Sequence, residues 1–307
     1  MPDQSGYLDI NGRPQFLSLR AQREGLPLLL YLHGGPGDAA LPLVRRYNRA
    51  LEGRYTVAVW EQRGAGKSYY PFSPGEPLTI QTFVDDLHCI VTHLLRRFHQ
   101  EKLYLLGHSW GSVLGLQYLR QHPELIHTYV GCGQVVNMRE GARRQYGYVL
   151  AECRRRGDHR ALERLERIDP AYTGEGWLDD LLFVTRRVVK YGASLYGCSS
   201  YNKLVKAFLF SPGYSLRDLL NREKGALQSI RRLWPELMGV DFTPVTSFGA
   251  PVVFLEGRHD RHVPSELLAA YYERLTSPKR LHWFERSCHF PQWSEADKFN
   301  TLLCAPD

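Results

Sequence analysis

The sequence predicts an α/β fold: a mostly parallel central sheet with helices on both faces and a helical cap insertion. Three observations carry this. Short apolar runs recur along the chain and stop at glycine-rich or charged turns. Segments with helical spacing separate them, which is the pattern of a parallel sheet covered on both sides. The stretch 134–240, by contrast, carries helical patterns and no clear buried-strand run.

The elements follow in order. Residues 7–10 and 15–20 flank Asn11-Gly12, a strong hairpin signal. An apolar run at 27–32 stops at His33-Gly34-Gly35-Pro36-Gly37, and another at 55–60 stops at Glu61-Gln62-Arg63-Gly64. Residues 79–99 place Ile80, Phe83, Val84, Leu87, Ile90, Val91, Leu94, Leu95 and Phe98 at three-and-four spacing, one face of a long helix. A strand at 103–106 runs into Gly107-His108-Ser109-Trp110-Gly111 and a helical segment at 113–120. The next strand lies near 125–130. Arginine-rich helical patterns then occupy 139–156, 159–168, 177–190, 204–210 and 215–233. After them the alternation returns: a strand at 251–255, a helix at 265–275 and a strand at 280–285. The predicted division is a core domain of residues 1–133 and 241–307 and a helical cap domain of residues 134–240.

Composition narrows the function. With 43% hydrophobic and 23% charged residues, the 307-residue chain reads as globular. It has no apolar run long enough to span a bilayer, and its start lacks the basic and apolar regions of a signal peptide, so a cytoplasmic protein without a membrane partner is expected. The formal charge is +7; residues 137–240 hold 19 Lys+Arg against 12 Asp+Glu, so the excess lies wholly in that segment. No zinc-finger, RNA-recognition or helix-turn-helix signature accompanies it. Solvated helix faces are the expected reading, and no nucleic-acid partner is. The six cysteines form no Cys-x-x-Cys pair, which argues for buried thiols rather than a metal site.

Gly-x-Ser-x-Gly between a strand and a helix is the layout of a nucleophile elbow, a strained turn with a serine at its tip. The glycines avoid Cβ clashes there. Gly111 and Gly115, four apart, let the helix sit close to the sheet. A serine hydroxyl needs a base in hydrogen-bond reach, and the base needs an orienting carboxylate. In sheets of this kind these follow as Ser, Asp or Glu, then His, at strand ends. Asp260 and His289, each just past a late strand, fill those positions, with Glu256 and Asp241 as rival acids. His93, His99, His122 and His159 read as ordinary surface or core residues. His108, next to Ser109, is expected to support the site, and His33 to pin backbone. The oxyanion of a tetrahedral intermediate needs two donors: the N–H of Trp110, and one from the glycine loop, where Pro36 has no N–H, which leaves Gly34, Gly35 or Gly37; Gly35 is the choice. Arg63-Gly64-Ala65-Gly66-Lys67-Ser68 ends like a phosphate-binding loop, but position 61 is glutamate where that motif needs glycine.

Together, His33-Gly34-Gly35-Pro36-Gly37, Glu61-Gln62-Arg63-Gly64-Ala65-Gly66-Lys67-Ser68, Gly107-His108-Ser109-Trp110-Gly111-Ser112, Gly257-Arg258-His259-Asp260 and Cys288-His289-Phe290-Pro291 resemble the α/β-hydrolase superfamily, in its proline iminopeptidase-like group. The resemblance implies an α/β-hydrolase fold and a Ser109–His289–Asp260 triad. It also implies an oxyanion hole from Gly35 and Trp110, a cap over the site, and acyl transfer to water without a cofactor. Two departures stand out. The iminopeptidases usually show aspartate where this chain has Glu61, and glycine where it has His108. Their cap also carries glutamates, one in a Trp-Glu pair, that hold the substrate's amino group. No Trp-Glu occurs in this cap, where the nearest feature is Trp177-Leu178-Asp179-Asp180. Glu61, Glu175, Trp177, Asp179 and Asp180 are therefore the candidate substrate-binding residues.

The expected function is an aminopeptidase removing small N-terminal residues from a short peptide or related small molecule. A carboxylesterase or lactonase for a small apolar acyl compound is the alternative. The aromatic side chains of the insertion, Tyr146, Tyr148, Tyr172, Trp177, Phe183, Tyr191, Tyr196 and Tyr201, either line such a pocket or form the insertion's own core. A binding protein on a hydrolase scaffold is a third, distant reading.

Overall fold

A computed structural model describes residues 4–305. The hairpin comes first: β1 (Gln4–Ile10) and β2 (Arg13–Arg20) pair antiparallel around Asn11-Gly12, both residues at positive φ. Then follow β3 (Leu28–Leu32), α1 (Leu41–Tyr47), β4 (Thr56–Glu61), α2 (Ile80–Phe98), β5 (Leu103–His108), α3 (Trp110–Gln121) and β6 (Ile126–Cys132). Five helices come next: α4 (Met138–Arg156), α5 (His159–Leu165), α6 (Trp177–Lys190), α7 (Asn202–Leu209) and α8 (Leu216–Leu237). The chain closes with β7 (Val252–Gly257), α9 (Ser265–Arg274), β8 (Lys279–Phe284), α10 (Pro291–Ser294) and α11 (Ala296–Cys304).

The eight strands form one sheet in the order β1-β2-β4-β3-β5-β6-β7-β8. From β4 to β8 every pairing is parallel, while β2 meets both neighbours antiparallel. All of β3 and β5 is buried, because helices cover both faces. Alternate residues feed different cores. Leu28, Leu30 and Leu32 pack with Phe83, Leu87 and Leu94 of α2, while Leu29 and Tyr31 pack with Leu43 of α1 and Phe299 of α11. Burying each such leucine contributes about 1.5–3 kcal/mol relative to leaving it exposed. Helix α2 opens on a reciprocal capping box between Thr79 and Thr82, so its expected start at 79 is the cap itself.

Helices α4, α5, α6 and α8 share a separate cluster that includes Val149, Cys153, Leu165, Val184, Val188 and Trp234, while α7 packs Leu204, Ala207 and Phe208 into the core of Leu29 and Tyr31. Helix α8 runs four residues beyond the expected end at 233, through Pro235. A proline so near the last turn removes one intrahelical bond and leaves the preceding turns intact. Helix α1, which sequence spacing did not single out, has proline in its first turn and packs beside β4 and α7.

Candidate active site

The turn from β5 into α3 is forced by close packing. Ser109 sits at φ 55°, ψ −118°, a conformation that costs a non-glycine residue about 1–3 kcal/mol. A Cβ on Gly107 would stand 2.4 Å from Gly111 O, and one on Gly111 would stand 2.2 Å from Leu32 O. The strained residue is held by neighbours: its N–H donates to Cys132 O at 3.0 Å, and Ser112 Oγ donates to its carbonyl at 2.6 Å. A Cβ on Gly115 would lie 2.4 Å from the Tyr129 ring, so α3 rests directly on the sheet.

Asp260 follows β7 and His289 follows β8. Their side chains meet, His289 Nδ1 lying 2.7 Å from Asp260 Oδ2. The other carboxylate oxygen of Asp260 accepts the backbone N–H groups of His262 at 2.7 Å and Val263 at 2.9 Å. Burial raises the Asp260 carboxyl, and the His262 imidazole and those two N–H donors oppose it. Burial also lowers His289, which favours the neutral base. The rivals lie elsewhere. Glu256 is buried on β7 and accepts from Gln134 N, while Asp241 caps a turn at Thr243.

His289 is flanked by two further imidazoles, His108 at 4.8 Å and His262 at 4.6 Å between ring centroids. His108 Nε2 bonds the His289 carbonyl at 3.0 Å, and the His289 N–H donates to Ser194 O on the helical segment. His262 was not foreseen from sequence. Its signal is its place two residues after Asp260, where its backbone orients that carboxylate.

Gly35 lies just past β3 at φ 124°, a conformation open to glycine. The loop is fixed by His33. Its Nδ1 bonds Gly34 O at 2.8 Å and its Nε2 accepts the Gln62 N–H at 3.0 Å. Burial lowers His33 to about 4, so this neutral tautomer persists. Gln62 Nε2 donates in turn to His33 O, and Gln62 Oε1 accepts from Trp110 Nε1–H. Gly35 and Trp110 thus belong to segments tied through one glutamine. As the first residue of α3, Trp110 has an N–H with no intrahelical acceptor.

Ser109, Gly35 and Trp110 line a cavity of about 280 Å³ together with His262. The remaining wall is mostly apolar, from α3, α4, α6, α8 and the start of α9, with Asp38 as its sole carboxylate among the described residues. Five candidate substrate-binding residues are not on this wall. Glu61 is fully buried at the end of β4, where Oε2 accepts the Lys67 N–H at 2.6 Å; it holds the Gly66–Ser68 turn, and burial raises its carboxyl to about 7. Glu175 and Asp179 are exposed, and Asp180 pairs with Arg164 at 3.5 Å. Trp177 stacks on Trp234, which does line the cavity, at 5.3 Å. The expected role of the cap residues among them rested on a tryptophan-and-acid pattern, but the first turn of α6 leaves Asp179 exposed and Asp180 paired with Arg164, away from the cavity. None of the eight insertion aromatics named above lines the cavity either; Tyr172, Tyr146 and Phe183 pack in the insertion's own core.

Among the described residues no cluster could hold a metal ion, and no helix is long and apolar enough to cross a membrane.

A family model of the α/β hydrolase fold matches residues 27–171. The chain is 35% identical over 303 residues to a probable aminopeptidase, YbaC, of Bacillus subtilis, covering 96% of this chain and 93% of that one. It is 24% identical over 307 residues to a proline iminopeptidase of Heyndrickxia coagulans, covering 97% and 96%. The crystal structure of a proline iminopeptidase from Mycobacterium smegmatis superposes with a TM-score of 0.65 at 20% identity, over 98% of this chain and 96% of that one.

Proposed function

The chain belongs to the α/β-hydrolase superfamily, in its proline iminopeptidase-like group, and from that premise we propose that it is a serine aminopeptidase that removes small apolar N-terminal residues. The observation that carries the reading is the 2.7 Å bond between His289 and Asp260, in a chain whose strained Ser109 lines an apolar cavity.

Ser109 Oγ attacks the scissile carbonyl carbon as His289 Nε2 takes its proton. Asp260 holds the imidazole by Nδ1–H and stabilises the imidazolium. The carbonyl oxygen, now negative, accepts from the N–H groups of Gly35 and Trp110. Collapse of the intermediate breaks the C–N bond, and His289 protonates the leaving amine. An acyl group is left on Ser109. Water then attacks that ester, giving its proton to His289 and releasing the acid and free Ser109. The helical segment 134–240 acts as a cap, its helices α4, α6 and α8 closing the acyl pocket.

A second reading, hydrolysis of a small carboxylic ester or lactone, is favoured by the cavity wall, which is nearly all apolar. A panel of aminoacyl-naphthylamides and acetyl and butyryl esters decides between them. Cleavage of the esters alone would reject the aminopeptidase. Under either reading Ser109→Ala should lose turnover by at least about 10⁴-fold and abolish fluorophosphonate labelling. Normal turnover by that variant would sink the triad.

A further inference from the structure

An aminopeptidase substrate brings a positive charge into its site. The α-nitrogen stands about 2.5 Å from the scissile carbon, by ordinary covalent geometry. An ammonium so placed in an apolar cavity needs a carboxylate partner. It must also lie close to the loop that receives the carbonyl oxygen, because one Cα bonds both the nitrogen and the carbonyl carbon. Among the described residues the wall offers a single carboxylate, and it is on that loop: Asp38, three residues after Gly35. A Cβ built on Gly35 would lie 3.2 Å from Asp38 Cβ, so the two residues are close neighbours in the turn.

We propose that Asp38 is the specificity-determining residue that receives the substrate's α-ammonium, presented by Arg222 of α8. This deepens the aminopeptidase reading and rests on it. Arg222 grips the carboxylate with two nitrogens, Nε on Oδ1 and Nη2 on Oδ2 at 3.0 Å. The backbone N–H of Ala39 takes Oδ1 as well, at 2.7 Å. A carboxylate has about four lone-pair sites, so one stays free on Oδ2. The Asp38 side chain is 32% exposed while it lines the cavity. The guanidinium, by contrast, lies over the Phe208 ring at 4.6 Å and is absent from the wall. A cation entering from the cavity therefore meets the carboxylate before the guanidinium, and the pair attracts it, though less than an unpaired carboxylate would. Neither Glu61 nor any acid of α6 competes for that position.

The test compares L-alanine 4-nitroanilide with propionic acid 4-nitroanilide, which differ only by the amino group, on the wild type, Asp38→Asn and Asp38→Glu. Asp38→Asn should raise KM for the alanyl substrate at least about tenfold more than for the propionyl one, since a charge-assisted hydrogen bond exceeds a neutral one. Asp38→Glu, which keeps the charge, should recover part of that difference, and it carries the comparison if Asp38→Asn does not fold. Equal losses on both substrates would overturn the role of Asp38 alone and leave it as a support of the glycine loop. A wild type with no preference for the alanyl substrate would overturn the aminopeptidase reading, and this proposal with it.

Discussion

His289 sits between two imidazoles and against one carboxylate, and each contact limits what it can do. With Asp260 on Nδ1, only Nε2 is left to accept a proton. Burial disfavours the imidazolium and lowers His289 below its ordinary 6.5. The free base therefore stays neutral, and competent, at pH values where an exposed histidine would already be charged. We expect kcat/KM for a substrate without an amino group to hold as pH falls through 6.5, with its acid limb well below that value. A midpoint at 6.5 or above would mean that the charge of Asp260 outweighs burial. The same scale shows why residue type alone misled about Glu61. Its carboxyl is a backbone acceptor at 2.6 Å for Lys67, so it shapes a turn rather than a substrate pocket.

Helix α8 is bound to the glycine loop more tightly than a mobile cover would be. Gly225 lies where a Cβ would be 2.4 Å from Gly64 O and 2.8 Å from Gly37 O, both of them backbone atoms that cannot swing aside. Along the same helix Gln228 bonds Phe72 N and Tyr70 O, and Glu236 accepts the Ile80 N–H. This helix therefore fixes the loop that carries Gly35 and Asp38. Gly225→Ala should push α8 off the loop, costing about 1–3 kcal/mol as overpacking. Turnover should fall with it on esters and anilides alike. Denaturant unfolding and kcat, measured together, check this; a stable variant with full kcat would show that the contact has slack.

For the whole molecule, a set of fully buried histidines and carboxyls sets the acid limit. Burial lowers His33, to about 4, and His108, His262 and His289, while it raises Glu61, to about 7, Glu256 and Asp260. A lowered histidine leaves the unfolded chain binding more protons, so its contribution is full above 6.5 and is lost as pH falls. A raised glutamate acts in the opposite sense: its contribution is present below 4.5 and is lost as pH rises toward 7. From 6.5 to 4.5 four histidines oppose three carboxyls, and stability should fall slowly. Below 4.5 the glutamates no longer differ, and the fall should steepen until His33 titrates. Urea unfolding at pH 7, 5.5, 4.8 and 4.2 tests this; a loss that does not steepen below pH 4.5 would contradict it. The sheet, the elbow and the order of Ser109, Asp260 and His289 were legible in the sequence because they rest on local constraints: a period of two or 3.6, a glycine where a Cβ would clash, a residue just past a strand. The strain at Ser109 and the pinning role of His33 follow from such constraints too. What lines the cavity was not legible, because it depends on which residues from distant segments converge. Sequence alone determined the sheet, the helical insertion and the serine at the tip of the elbow. Only the tertiary structure decided that the acids of α6 lie away from the cavity and that Asp38, from a loop nearly two hundred residues before its partner Arg222, lines it. Chain neighbours set backbone conformation, whereas the packing of remote elements sets which side chains share a cavity.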